Sequence, residues 1–127
     1  SPHPQQYAVK AALEGPQNHI REYNKKLKER RDITYKRLNE IQGLSCVKPK
    51  AAFYAFPRMN FDVKDDKKFI LDLLKEENVL FVHGSGFSQG LPKAHFRVVF
   101  LPKPEILNKA YDGLERFIKK GYAKQLK

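Results

Sequence analysis

Apolar positions recur at helical intervals along most of this chain and at alternate positions in one short stretch. Over residues 16–42 the marks Ile20, Tyr23, Leu27, Thr34, Leu38 and Ile41 fall three, four or seven apart, which predicts a helix with one narrow buried stripe. At 1.5 Å per residue it would be roughly 40 Å long, more than a small domain can cover. That predicts a partly solvated strut, with Gly43 as a left-handed cap at its end. Before it, residues 4–13 read as a short helix closed by Gly15, with Pro16 in the first turn of the strut.

Residues 95–101 alternate cleanly: His95, Arg97, Val99 and Leu101 share one face, and Phe96, Val98 and Phe100 the other. Shorter strand signals lie at 45–47 and 52–56, around Lys48-Pro49-Lys50, with Pro57 ending the second, and at 79–82. Asp65 or Asp66 can cap a helix that runs to Glu76 and buries Phe69, Ile70, Leu73 and Leu74. Residues 83–93, with three glycines and a proline, read as a loop. Pro102 and Pro104 open a last helix presenting Ile106, Leu107, Ala110, Tyr111, Leu114, Phe117 and Ile118 on one side, with Gly121 near its end. The order α-α-β-β-α-β-β-α predicts an α+β fold, a mixed α/β layer in which helices pack on a small sheet of about four strands. The strand-helix-strand unit over 52–82 favours a right-handed crossover.

A chain of 127 residues makes one compact domain and is too short for two. No apolar run approaches the roughly 18 residues of a membrane span, and the first residues lack a signal peptide's apolar core. The cytoplasm is the expected location. The lone Cys46 rules out a disulfide framework or a cysteine-cluster metal site and reads as a small buried hydrophobe. Charge changes the picture more. Lys and Arg total 25 against 14 Asp and Glu, a formal +11. Most of the excess lies in residues 21–37, at net +5, and in the last nine residues, at net +4. Such a balance suits a polyanion, but no recognised nucleic-acid motif is present. Pairs such as Glu22 with Lys26 and Asp32 with Lys36 fit ordinary support along a solvated helix face.

Arg97 is the most informative residue. A permanent charge with five donors, set mid-strand between apolar neighbours, must find a partner or reach water. It is either an edge-strand arginine, or one paired with a structural acid, or a fork aimed at a carboxylate or phosphate. Gly84-Ser85-Gly86 has neither dinucleotide-fold nor P-loop spacing and reads as a turn. His83 has no acid or nucleophile nearby in sequence, and His3, His19 and His95 form no metal-ligand spacing.

The particular strings go further. Pro4-Gln5-Gln6-Tyr7-Ala8, Ala11-Ala12-Leu13-Glu14-Gly15-Pro16-Gln17, Glu29-Arg30-Arg31-Asp32 and Lys36-Arg37-Leu38-Asn39-Glu40-Ile41 resemble the end of a class I aminotransferase. So do the stretch from Gly43 through Lys48-Pro49-Lys50-Ala51-Ala52-Phe53-Tyr54-Ala55-Phe56-Pro57, the run Leu73-Leu74-Lys75-Glu76-Glu77-Asn78-Val79, and Gly84-Ser85-Gly86-Phe87. His95-Phe96-Arg97-Val98-Val99-Phe100-Leu101-Pro102 looks most like the alanine aminotransferase branch. The resemblance covers essentially the whole chain, in order.

That resemblance implies the C-terminal small domain of a fold-type-I enzyme dependent on pyridoxal 5'-phosphate (PLP). Residues 1–15 would end the large PLP-binding domain, 16–127 would form the small domain, and 16–42 would be the connecting helix. Arg97 matches the family's arginine for the substrate α-carboxylate, and Phe53 and Tyr54 would lie near the face that closes over substrate. The substrates would be amino acids and 2-oxo acids, with alanine-type specificity the branch implied, and the intact enzyme a homodimer. The resemblance places no catalytic, cofactor-binding or metal residue in this stretch: the Schiff-base lysine, the acid on the pyridine nitrogen and the phosphate seat belong to the large domain. The stretch by itself is therefore expected to bind no PLP and to be inactive. Two departures stand out. Ala51-Ala52-Phe53-Tyr54 replaces the family's usual Gly-Ala-Phe-Tyr, and His83 stands where proline is common. The rival readings are a free-standing basic module for nucleic acid or another polyanion, and a degenerate aminotransferase remnant.

Overall fold

The computed structural model describes residues 2–87, 90 and 94–126. Two helices open it, α1 (His3–Glu14) and α2 (Asn18–Glu40). Helix α2 starts later than predicted, with Pro16 outside its first turn. The reason is Gln17, whose side-chain amide donates to the carbonyl oxygens of Ala12 and Gly15, each at 2.9 Å. Closing the end of α1 in this way holds the junction out of helical geometry. The stripe of α2 is buried only in its second half, at Thr34 and Leu38, while Ile20 and Tyr23 remain 45% and 47% exposed. Gly43 has φ +89°, the left-handed conformation its position predicts, and a Cβ there would meet the Phe61 ring at 2.8 Å.

Among the described residues five short strands follow: β1 (Leu44–Ser45), β2 (Tyr54–Ala55), β3 (Arg58–Met59), β4 (Val82–His83) and β5 (Phe96–Val99). They form a two-stranded pair, β1-β3, and a three-stranded sheet in the order β2-β5-β4, rather than one sheet of four strands. Strand β3 was not predicted. Beyond Pro57 the chain keeps running along β5: Phe96 N–H donates to the Pro57 carbonyl at 3.3 Å and Met59 N–H to the Ala94 carbonyl at 2.9 Å. Proline has no N–H to give, so it interrupts the ladder without turning the chain away. All strand pairs are antiparallel, with Tyr54 opposite Val99, Ala55 opposite Val98 and Val82 opposite Arg97. Strands β2 and β4 therefore run the same way on either side of β5, and the strand-helix-strand unit is split by it.

Helix α3 (Asp66–Glu77) is capped by Asp65, whose carboxylate accepts from Lys68 N–H at 2.9 Å, and Asn78 closes it in the left-handed region. Helix α4 (Pro104–Tyr122) buries Leu107, Tyr111, Leu114, Phe117 and Ile118. Ile106, assigned from sequence to the same face, is 57% exposed. The core joins α3, α4 and the inner face of β5. Phe69 meets Phe117 edge-on at 5.2 Å, and Phe81 stacks on Phe96 at 5.3 Å. Cys46 belongs to this core, as predicted. Among the described residues no helix is long and apolar enough to cross a membrane.

Candidate functional site

The alternation of β5 decides what each of its side chains meets. Phe96 and Val98 go into the core, so Arg97 lies on the other face with its neighbours across the ladder. Two of the open readings of Arg97 fail on geometry. Its strand is the central one of three, not an edge. No ion pair among the described residues involves it.

Aromatic rings hold the guanidinium instead. Its carbon lies 4.7 Å from the centre of the Tyr54 ring and 4.5 Å from that of Phe87, within the range where a cation is drawn to a ring's electron-rich face. Arg97 Nε is buried without a hydrogen-bond partner, a rare condition for a charged donor. Arg97 also borders a cleft of about 700 Å³ with Val82, Val99, Leu101 and Ile106, whose one acid among the described residues, Glu77, is paired with Arg116 at 2.7 Å. The arrangement is a positive fork, oriented by rings that take none of its N–H donors, on a residue that also helps to line a largely apolar cleft. Such a fork suits a carboxylate carried on a small organic molecule.

The glycine-serine-glycine segment lies next to it. Gly84 N–H donates to the His95 carbonyl at 2.9 Å, and a Cβ on Gly84 would lie 2.5 Å from that oxygen. Only glycine permits so close an approach. Ser85 donates from its N–H and its hydroxyl to the two oxygens of Asp66, at 2.7 and 2.8 Å. His83 Nδ1 lies 3.0 Å from the same hydroxyl. The hydroxyl beside His83 is thus Ser85, two residues on in the chain, contrary to the sequence reading that none lies nearby, and the fold adds the acid, Asp66, from 19 residues before Ser85. Because the single hydroxyl proton goes to Asp66, His83 Nδ1 is the donor to Ser85 and does not act as its base. The order is wrong for nucleophile activation; the group is a tether. Burial alone would raise the Asp66 pKa, but the two bonds from Ser85 and the nearby His83 outweigh it and hold the carboxyl below its usual value.

The other residues singled out from sequence stay apart. His3 lies edge-on to Tyr7, and His95 stacks on Phe56. Among the described residues no three His, Cys, Asp or Glu side chains converge on a metal site. The Cys46 thiol has its pKa raised by burial, the opposite of an activated nucleophile. Phe53 and Tyr54 are ring neighbours at 4.5 Å, and only Tyr54 reaches Arg97. Every described lysine is exposed, so none occupies the desolvated setting that makes an amine a nucleophile at neutral pH. The roles of Phe87 and Asp66 were not read from sequence. The signal available was a glycine-flanked turn ending in phenylalanine, and an aspartate pair where one suffices as a cap. Ala51, which stands where the family's glycine is usual, does not have a positive φ; the positive φ, +57°, is at Ala52, where the family also has alanine.

Comparison with known proteins places this geometry. The model of the family "Aminotransferase class I and II" matches residues 1–114. The chain is 41% identical to the glutamate-pyruvate aminotransferase AlaA of Haemophilus influenzae over 121 residues, which is 91% of this chain and 30% of that protein. The alanine aminotransferase from Pyrococcus furiosus superposes with a TM-score of 0.85 at 55% identity, over 92% of this chain and 30% of that one. An aromatic aminotransferase from Pyrococcus horikoshii superposes with a TM-score of 0.78 at 36% identity, over 91% and 31%. The chain therefore spans about 30% of the length of these proteins.

Proposed function

The chain belongs to the class I and II aminotransferase family, and on that premise we propose that it is the C-terminal small domain of a PLP-dependent aminotransferase. In this reading residues 1–15 end the large domain and 16–127 form the small one, with α2 as the strut between them. Exposed apolar residues on the opening rods, Tyr7, Val9, Leu13, Ile20 and Tyr23, support a covering body on that side. The activity of the intact protein, a homodimer, is transfer of an amino group between an amino acid and a 2-oxo acid. The alanine type is favoured by the relatives named for alanine and for glutamate-pyruvate exchange.

The observation that carries this reading is the free fork of Arg97: a central-strand guanidinium with an orphaned Nε and, among the described residues, no ion pair. It binds the α-carboxylate of the substrate and so fixes the position of the reacting carbon. Movement of this domain toward the large one then excludes water. PLP, when bound, supplies the electron sink. The residues of this chain do not by themselves fit it, because each described lysine is exposed; its seat lies in other parts of the protein in this reading.

In the intact enzyme, Arg97→Ala should lower kcat/KM for alanine by about 3 kcal/mol, on the order of a hundredfold or more, as expected when one partner of a desolvated charge pair is removed. Unchanged kcat/KM would take Arg97 out of the site. The polyanion-binding alternative has one observation in its favour: Arg21, Lys25, Lys26 and Lys28 enter none of the ion pairs among the described residues. Against it, Phe69, Phe81, Phe96 and Phe117 are spent in the core and are not available as a stacking platform.

A further inference from the structure

We infer that Tyr54, Phe87 and Asp66 form a positioning unit for Arg97, with Asp66 acting at a distance through the Ser85 tether; this rests on reading Arg97 as the carboxylate clamp. The physical problem is specific. A carboxylate that oriented this arginine would take some of its in-plane donors and neutralise its charge. Ring faces orient the guanidinium and leave its N–H edge free.

The rings must themselves be fixed. Tyr54 is held by β2, which is hydrogen-bonded to β5 next to Arg97. Phe87 has no strand to hold it. Its backbone N–H donates to the Gly84 carbonyl at 2.8 Å, and its ring meets Phe56 edge-on at 6.0 Å. The segment is secured at two points. Gly84 is bonded to the His95 carbonyl, and Ser85 is bonded twice to Asp66 in the first turn of α3. Helix α3 in turn is rooted in the core by Phe69, Ile70 and Leu73. A line of contacts thus runs from the core, through Asp66 and Ser85, to the ring that faces the guanidinium. Asp66 touches nothing that a substrate would touch; it sets where Phe87 lies.

The test is steady-state kinetics of the intact enzyme with alanine as the varied substrate. Phe87→Leu keeps apolar bulk but removes the ring face. It should raise KM about threefold to thirtyfold, the range of a partly desolvated cation–ring contact, with kcat changed by no more than about twofold. Phe87→Tyr should restore KM. Asp66→Ala should raise KM in the same way, and the double variant Asp66→Ala/Phe87→Leu should be no worse than Phe87→Leu alone, because both changes remove one contact. Ser85→Ala, which removes only the hydroxyl half of the tether, serves if Asp66→Ala does not fold, and should show a smaller rise of the same kind. Additive effects in the double variant, or an unmoved KM in Phe87→Leu while Arg97→Ala still raises it, would overturn the inference and leave the clamp standing. Arg97→Ala with unmoved kinetics would overturn both.

Discussion

Two arginines in this molecule face opposite circumstances. Arg37, on α2, is surrounded by carboxylates: Asp112 bonds its Nη2, Glu115 lies 3.8 Å from the same nitrogen, and Glu40 lies 3.6 Å from Nη1. It joins α2 to α4, and its charge is neutralised in doing so. Arg97, on the outer face of the sheet, has aromatic faces and, among the described residues, no ion pair, and one of its nitrogens is orphaned. A structural arginine is neutralised where it stands. Aromatic faces hold the other while leaving its charge and donors for a ligand.

That contrast can be broken or sharpened by experiment, and the largest effect belongs to Arg97→Ala, where activity should fall while the melting temperature stays within a few degrees. A large loss of stability there would make Arg97 a structural residue like Arg37. Next in size is the interior of the Arg37 face. Thr34 Oγ1 and Tyr111 OH, both fully buried, lie 2.7 Å apart, and burial pushes the Tyr111 phenol well above its ordinary pKa. Tyr111→Phe strands the threonine hydroxyl and should cost about 1–3 kcal/mol in urea unfolding; adding Thr34→Val should recover part of that. No recovery would mean the pair is not bonded.

Arg37→Ala should be milder, about 1 kcal/mol or less, because its ion pairs are partly exposed. The loss should shrink further in high salt, and kcat/KM should not move. A drop in kcat/KM at unchanged stability would erase the distinction between the two arginines. The smallest effect is on the segment leading to Tyr54. Ala52→Gly relieves a left-handed alanine, offset by the greater flexibility of glycine in the unfolded chain, for a net gain of about 0.5 kcal/mol. A lower melting temperature would show that Ala52 does not strain that turn.

Much of the framework was legible because it rests on neighbours close in sequence. The alternation of β5 and the apolar faces of α2 and α4 are short-range repeats; the structure has the β5 alternation and most of the α4 face, and buries the α2 stripe only in its second half. Strand β3 was not legible, since Pro57 reads as a terminator and only β5, well over thirty residues away in sequence, shows that pairing resumes. The exposure of Ile106 is similar: its helix position puts it on the apolar side, but nothing among the described residues covers that end of the face.

The candidate site divides in the same way. Arg97 could be singled out from a mid-strand charge between valine and phenylalanine, and its family match from strings that run the length of the chain. Which strand lies in the centre, which rings reach the guanidinium and which acid secures the loop beside it were decided only by the tertiary fold. Asp66 and Ser85 stand 19 residues apart, and Tyr54 and Arg97 belong to strands separated by a whole helix. Sequence alone determined that a charge would have to be accommodated on the sheet. Folding determined how, because a side chain's partners follow from long-range packing, and local periodicity says only which way it faces.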